Sequence, residues 1–246
     1  MKNVLFFAVA GTMAASTPAF ASTPTPFHLP GEISTNIALA TDYAFRGLSQ
    51  TDRNPALQGG VNYNAPIRDD LNFYAGLWGS NVNFNDGDET DLETDYFAGA
   101  TYKNGDYSFD LSGIYYAYPG ASEAGKYDYY EMQASASRQF SIASVVATFN
   151  YSPDYFGGTG HAEYYRLGAS APLAFLPKKG FTLDGHVGRQ NVEKSTDYVD
   201  WAVGVSYAWN DYTLKTEYVD TDLSESECGM TGLCGNRVIL SASHSF

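Results

Sequence analysis

From Glu32 onward the chain alternates apolar and polar side chains in segments of about ten residues, separated by Gly-, Asn-, Asp- and Pro-rich breaks. No run in this region reaches the roughly 18 consecutive apolar residues that a membrane-crossing helix needs. A period of two puts alternate side chains on opposite faces of a strand. Repeated at this spacing, it is the weak signature of a transmembrane barrel. Hydrocarbon leaves no other β architecture, because a closed barrel alone pairs every backbone group without a free edge.

The first segment, Glu32–Phe45, sets Ile33, Ile37, Leu39, Tyr43 and Phe45 against Ser34, Asn36, Ala38, Ala40 and Asp42. Further strands are expected near 56–64, 71–80, 91–102, 107–118, 127–138, 143–152, 163–171, 181–190, 198–209, 212–219 and 237–246. The segment 198–209 is the clearest: Val199, Trp201, Val203, Val205, Tyr207 and Trp209 alternate with Asp200, Ala202, Gly204 and Ser206. The expectation is an all-β, antiparallel transmembrane barrel of about 12 strands over residues 32–246.

Composition separates this reading from a soluble β-sandwich, which also alternates. Tyr, Phe and Trp number 20, 15 and 3, while charged residues make up 17%, below the roughly 25% of a soluble domain. The aromatics gather near strand ends, as at Tyr96, Tyr102, Tyr107, Tyr115, Tyr198, Tyr207 and Trp209. That placement suits girdles flanking an apolar band about 25 Å tall. A net charge of −14 excludes nucleic acid as a partner, since phosphate binding draws on Lys and Arg.

Residues 1–21 read as a signal peptide: Lys2 is the positive n-region, Val4 to Ala15 is mostly apolar, and Ala19-Phe20-Ala21 fits a cleavage site. Residues 22–31 carry three prolines and read as a flexible periplasmic lead-in. Connections after the odd-numbered strands are mostly long and polar, such as 81–90, 153–161 and 220–236. Those after even-numbered strands tend to be short, with Asn104-Gly105 and Asn210-Asp211 the clearest hairpin turns. Short turns belong to the periplasm and long loops to the outside, so both termini are expected in the periplasm of an outer-membrane protein. Cys228 and Cys234, six apart in an exported chain, are expected to form a local disulfide.

Three stretches carry a resemblance: Ala40-Thr41-Asp42-Tyr43-Ala44-Phe45-Arg46-Gly47-Leu48-Ser49-Gln50, then 72–82, then 110–120. Together they resemble the TorF-type porins, also catalogued as a family of uncharacterised bacterial proteins. The resemblance implies an outer-membrane barrel with a pore, and no established substrate. The final strand, with Val238 and Leu240 in phase with the terminal Phe246, resembles the signal read by the barrel-assembly machinery.

Chemistry is sought on the inward face. Asp42 and Arg46, four apart, are expected on the polar face of the first strand, as an interior salt bridge or a constriction. Asp110, Glu131, Arg166, Asp184, Asp200, Lys215, Glu217 and Arg237 are expected in the lumen, and inward aromatics including Tyr74 and Trp78 should narrow it. This charge set has a small acidic excess and implies at most mild cation preference, since strong selectivity needs a ring of one sign. The segment 86–95 is acidic, but Asn85-Asp86-Gly87-Asp88-Glu89 does not complete a calcium loop. No metal or other cofactor is expected. None of the four histidines accompanies a nucleophile motif, so no enzyme is expected.

About 12 strands fall between the filled eight-strand barrel and the open 16-strand porin. The expected function is therefore a narrow channel for passive diffusion of small polar solutes, with membrane lipid and lipopolysaccharide as surroundings. The alternative is a non-conducting structural or recognition barrel acting through its acidic outer loops.

Overall fold

A sheet of period-two segments can bury one face by curling until its inward faces meet, and this chain closes completely. In the computed structural model, twelve strands form one closed antiparallel barrel. They are β1 (Glu32–Ala40), β4 (Ala56–Arg68), β5 (Leu71–Asn81), β6 (Leu92–Asn104), β7 (Tyr107–Ala117) and β8 (Tyr129–Gln139), followed by β9 (Ser144–Ser152), β10 (Ala162–Pro172), β11 (Phe181–Val192), β12 (Tyr198–Trp209), β13 (Tyr212–Thr221) and β14 (Arg237–Ser245). The structure describes residues 31–87, 90–176, 180–228 and 232–246. The expected signal peptide and most of the lead-in lie outside these residues, as do Asp88 and Glu89 of the acidic segment.

Each wall strand pairs with its sequence neighbour, and β1 pairs with β14 to close the ring, for example Asn36 opposite Ser245 and Ala40 opposite Ser241. The terminal residue completes the seam: the Phe246 N–H donates to the Thr35 carbonyl at 2.8 Å. Outward faces are apolar as the alternation requires, with Leu39, Leu57, Leu111, Leu167, Val203 and Leu240 all exposed. Such a band fits hydrocarbon, and it yields a direct expectation. Val203→Arg, in the middle of β12, should cost about 2–4 kcal/mol in a bilayer, measured by denaturant unfolding of the barrel in phospholipid vesicles.

One expected strand is shorter and differently used. β1 stops at Ala40, and the chain then turns inward. β2 (Ala44–Phe45) and β3 (Leu48–Ser49) form a separate two-stranded hairpin that is not part of the wall. Its two turn residues, Arg46 and Gly47, have φ of 48° and 80°, the both-positive turn that matches the twist of paired strands. Tyr43 and Phe45 are therefore not members of an outer aromatic girdle. Tyr43 is buried and Phe45 half-buried, both within an aromatic cluster that includes Trp78, Tyr116, Tyr118, Tyr127, Tyr129 and Phe156.

The connections largely sort as expected. Residues 105–106 and 210–211 are tight turns at one rim, while 41–55, 82–91, 118–128, 153–161 and 222–236 join strands at the other. Two depart from the pattern: the link 193–197 at the long-loop rim is short, and the link 173–180 at the opposite rim is long.

Candidate functional site: the hairpin-crossed lumen

The inward hairpin is held from three sides. Near its base, Asp42 accepts from the Ser49 hydroxyl at 2.6 Å and the Thr51 hydroxyl at 2.8 Å, and it forms an ion pair with Arg237 of β14. Beside it, the Tyr43 hydroxyl donates to Glu93 of β6 at 2.9 Å, and the Tyr43 ring meets Trp78 edge-on at 5.3 Å. At its tip, Arg46 reaches two distant wall strands. One guanidinium nitrogen donates to Glu131 of β8 at 2.6 Å, and another to Gln190 of β11 at 2.6 Å. The guanidinium also lies 4.3 Å from the centre of the Tyr164 ring, 4.7 Å from that of Phe45 and 5.8 Å from that of Tyr155.

Asp42 and Arg46 thus do not share a face of an extended strand and do not pair with each other. The chain bends between them, so each finds its own counter-charge on the wall. The Asp42–Arg237 pair also supports the disulfide loop, since Arg237 donates to the carbonyls of Gly47 and Gly235 at 3.0 Å each. Cys228 and Cys234 are bonded, with 6.0 Å between their Cα atoms. One limb of this loop presses on the hairpin: the Ser49 N–H donates to the Leu233 carbonyl at 2.9 Å, and Cys234 is buried. The stretch 224–227 stays exposed.

Glu131 is almost fully buried and serves as the anchor for the tip. Besides Arg46 it accepts from the Asn150 amide at 3.0 Å. A carboxylate taken from water is tolerable only when paired and hydrogen-bonded, and here both conditions hold. Near Glu93, burial pushes up the phenols of Tyr43 and Tyr118, and near Glu131 it pushes that of Tyr155 to about 12. These loop tyrosines remain neutral hydrogen-bond donors at any physiological pH.

Farther from the hairpin the wall carries its own pairs, and glycine makes them possible. Tyr74 on β5 donates to both oxygens of Asp110 on β7 at 3.0 Å, passing over β6 at Gly99. A methyl group on Gly99 would sit 2.6 Å from the Tyr74 hydroxyl. Lys215 on β13 reaches Asp184 on β11 at 2.9 Å across Gly204 of β12, and also holds Glu217 at 2.6 Å. A methyl on Gly204 would meet the Lys215 stem at 2.8 Å. Tyr164 on β10 reaches Asp200 on β12 at 3.2 Å over Gly188, and His186 meets the same Asp200 oxygen at 2.9 Å. Asp110 takes a further hydrogen bond from the Thr101 hydroxyl at 2.9 Å. The Arg166 side chain, half-buried on β10, has no ion pair among the described residues.

The sequence-derived lumen candidates are all buried or half-buried, and they form separate groups. Arg46 and Glu131 meet at the hairpin, Tyr74 meets Asp110, and Asp184 joins Lys215 and Glu217. Two lumen acids were not among the candidates. Glu93 and Asp95, read in the sequence only as members of the acidic segment 86–95, are each 1% exposed on the inward face of β6. Their phase with the inward Phe97 carried the signal: counting back by two from Phe97 gives Asp95 and Glu93.

Solved structures share this architecture at low sequence identity. An outer membrane channel from Pseudomonas putida F1 superposes with a TM-score of 0.54 at 10% identity, covering 92% of this chain and 100% of that one. A KdgM porin gives 0.53 at 10% identity, covering 87% and 99%. A KdgM porin in complex with disordered oligogalacturonate gives 0.51 at 11% identity, covering 87% and 99%. These likenesses establish the fold. No curated protein sequence matches the chain. A family model does, over residues 25–246, and the protein belongs to the Gcw_chp family, described as bacterial protein of unknown function.

Proposed function

We propose that this protein is a narrow outer-membrane channel for passive diffusion of small polar solutes, a non-enzymatic member of the TorF-type porins. The observation that carries this reading is a closed twelve-strand wall, apolar outside and polar inside, whose lumen is crossed by the Arg46 hairpin. The folds of the P. putida channel and the KdgM porin support it. The mature chain would begin at Ser22, with both termini in the periplasm and the hairpin-bearing rim outside, next to lipopolysaccharide. Phe246, at the seam, would be the residue presented to the barrel-assembly machinery.

Asp42, Arg46, Tyr74, Trp78, Asp110, Glu131, Arg166, Asp184, Asp200, Lys215 and Glu217 are the pore-lining set under this reading. Glu93 and Asp95 add to the acids, so cations should be preferred mildly, most lumen charges being paired already. The same excess argues against a polyanion such as the oligogalacturonate of the KdgM complex as the solute. The alternative, a closed recognition barrel, draws on the aromatic cluster packed under the long loops.

Planar-bilayer recording of refolded protein separates the two. Small discrete conductance steps, with reversal potentials shifted modestly toward the cation in a salt gradient, are expected. Folded protein that gives no steps removes the channel reading and leaves recognition.

A further inference from the structure

The seat of Arg46 is built like a ligand site. Its two acceptors, Glu131 and Gln190, are both essentially fully buried and stand on wall strands three apart in the ring, β8 and β11. They take separate nitrogens of one guanidinium, at 2.6 Å each. The Tyr164 ring lies against the cation at 4.3 Å, and Tyr155 stands at 5.8 Å. Paired acceptors together with an aromatic face match the guanidinium plane, whereas an ammonium is a compact point charge. Glu131 is itself positioned by Asn150, whose amide also donates to Gln133 at 3.2 Å. The wall side of the seat is therefore held by wall residues, not by the hairpin.

The occupant, by contrast, is held in an unfavourable backbone state. Arg46 has a φ of 48°, and left-handed conformations at non-glycine residues persist only where surroundings over-determine them, most often at functional positions. We infer that the Glu131–Gln190–Tyr164–Tyr155 station is a recognition site for guanidinium-bearing solutes. In the resting barrel the chain's own Arg46 occupies it, so that such solutes and the hairpin compete for it. The inference rests on the lumen being a solute path, and it names the class of solute that path would favour. Tethering gives Arg46 a local concentration on the order of millimolar or more, so a free competitor should act weakly on the wild type and strongly once the side chain is gone.

Calorimetric titration with methylguanidinium, using methylammonium as the matched probe, tests this without requiring conduction. Arg46→Ala, shown folded by heat-modifiable migration, should bind methylguanidinium at least tenfold more tightly than the wild type does, and tenfold more tightly than it binds methylammonium. Adding Glu131→Gln to that variant should abolish the preference. Arg46→Gly, which satisfies the turn without a side chain, serves if the alanine variant does not fold. In the wild type, molar methylguanidinium should accelerate hydrogen exchange of residues 43–49 more than methylammonium does.

No saturable binding in the side-chain-less variants, binding indifferent to Glu131→Gln, or unchanged wild-type exchange each overturns the inference. A variant that binds methylguanidinium but passes no current would overturn the channel reading and leave the site standing. A variant that conducts but does not bind would do the reverse.

Discussion

Arg46→Ala should raise single-channel conductance in planar bilayers by about threefold or more, because a twelve-strand barrel has room to conduct that its side chains and hairpin now occupy. The side chain reaches wall strands β8 and β11. Its removal takes away both attachments of the tip while Asp42, Tyr43 and Ser49 still hold the base. The effect should therefore be an opening without loss of the barrel, which dye-free lipid vesicles can check by faster swelling in small sugars. A conductance equal to that of the wild type would mean that solutes bypass the hairpin altogether. Arg46→Lys should fall between the two, since an ammonium cannot serve both acceptors with the same planar geometry.

Glu131→Ala should be the most destabilising single change in the lumen. It leaves a buried guanidinium with one neutral acceptor and takes from the Asn150 amide the shorter of its two hydrogen bonds. Breaking a buried pair by deleting one partner costs about 3–5 kcal/mol, read here as a lower denaturant midpoint in detergent or vesicle unfolding. Glu131→Gln keeps an acceptor in place and should lose less. The double change Arg46→Ala with Glu131→Ala should recover part of the loss, because neither charge is then left alone. If the two single losses simply add, the pair is not coupled and the hairpin is held by its base.

These effects depend on contacts that no local pattern reports. Alternation alone places the wall strands: the period of two over 198–209 coincides with β12 at both ends. The same rule misleads at the first strand. Residues 42–45 keep alternating after the chain has left the wall, because a strand folded into a lumen also has two faces. The break is carried by Arg46-Gly47, whose paired positive φ values make a tight turn, and arginine is not a residue that announces one. Composition misleads at Glu93 and Asp95, where a run of acids looks like a solvated loop until the phase of Phe97 is extended backwards. Arg46 meets Glu131 across 85 residues of sequence, and only closure of the barrel brings them together. That the inward positions would hold charge was legible; which charge finds which partner was set by strand stagger.

The spans over Gly99, Gly188 and Gly204 bear on how such a wall assembles. Each joins a strand to its next-but-one neighbour, so the alignment of three consecutive strands is checked twice, once by the backbone ladder and once by a side-chain bridge. A slip of one residue would turn an Asp or Lys toward hydrocarbon and bring a Cβ under the bridge in place of the glycine. Mispaired sheets would then carry an immediate penalty in every such triplet, and the growing edge would be corrected before the seam between β1 and β14 closes.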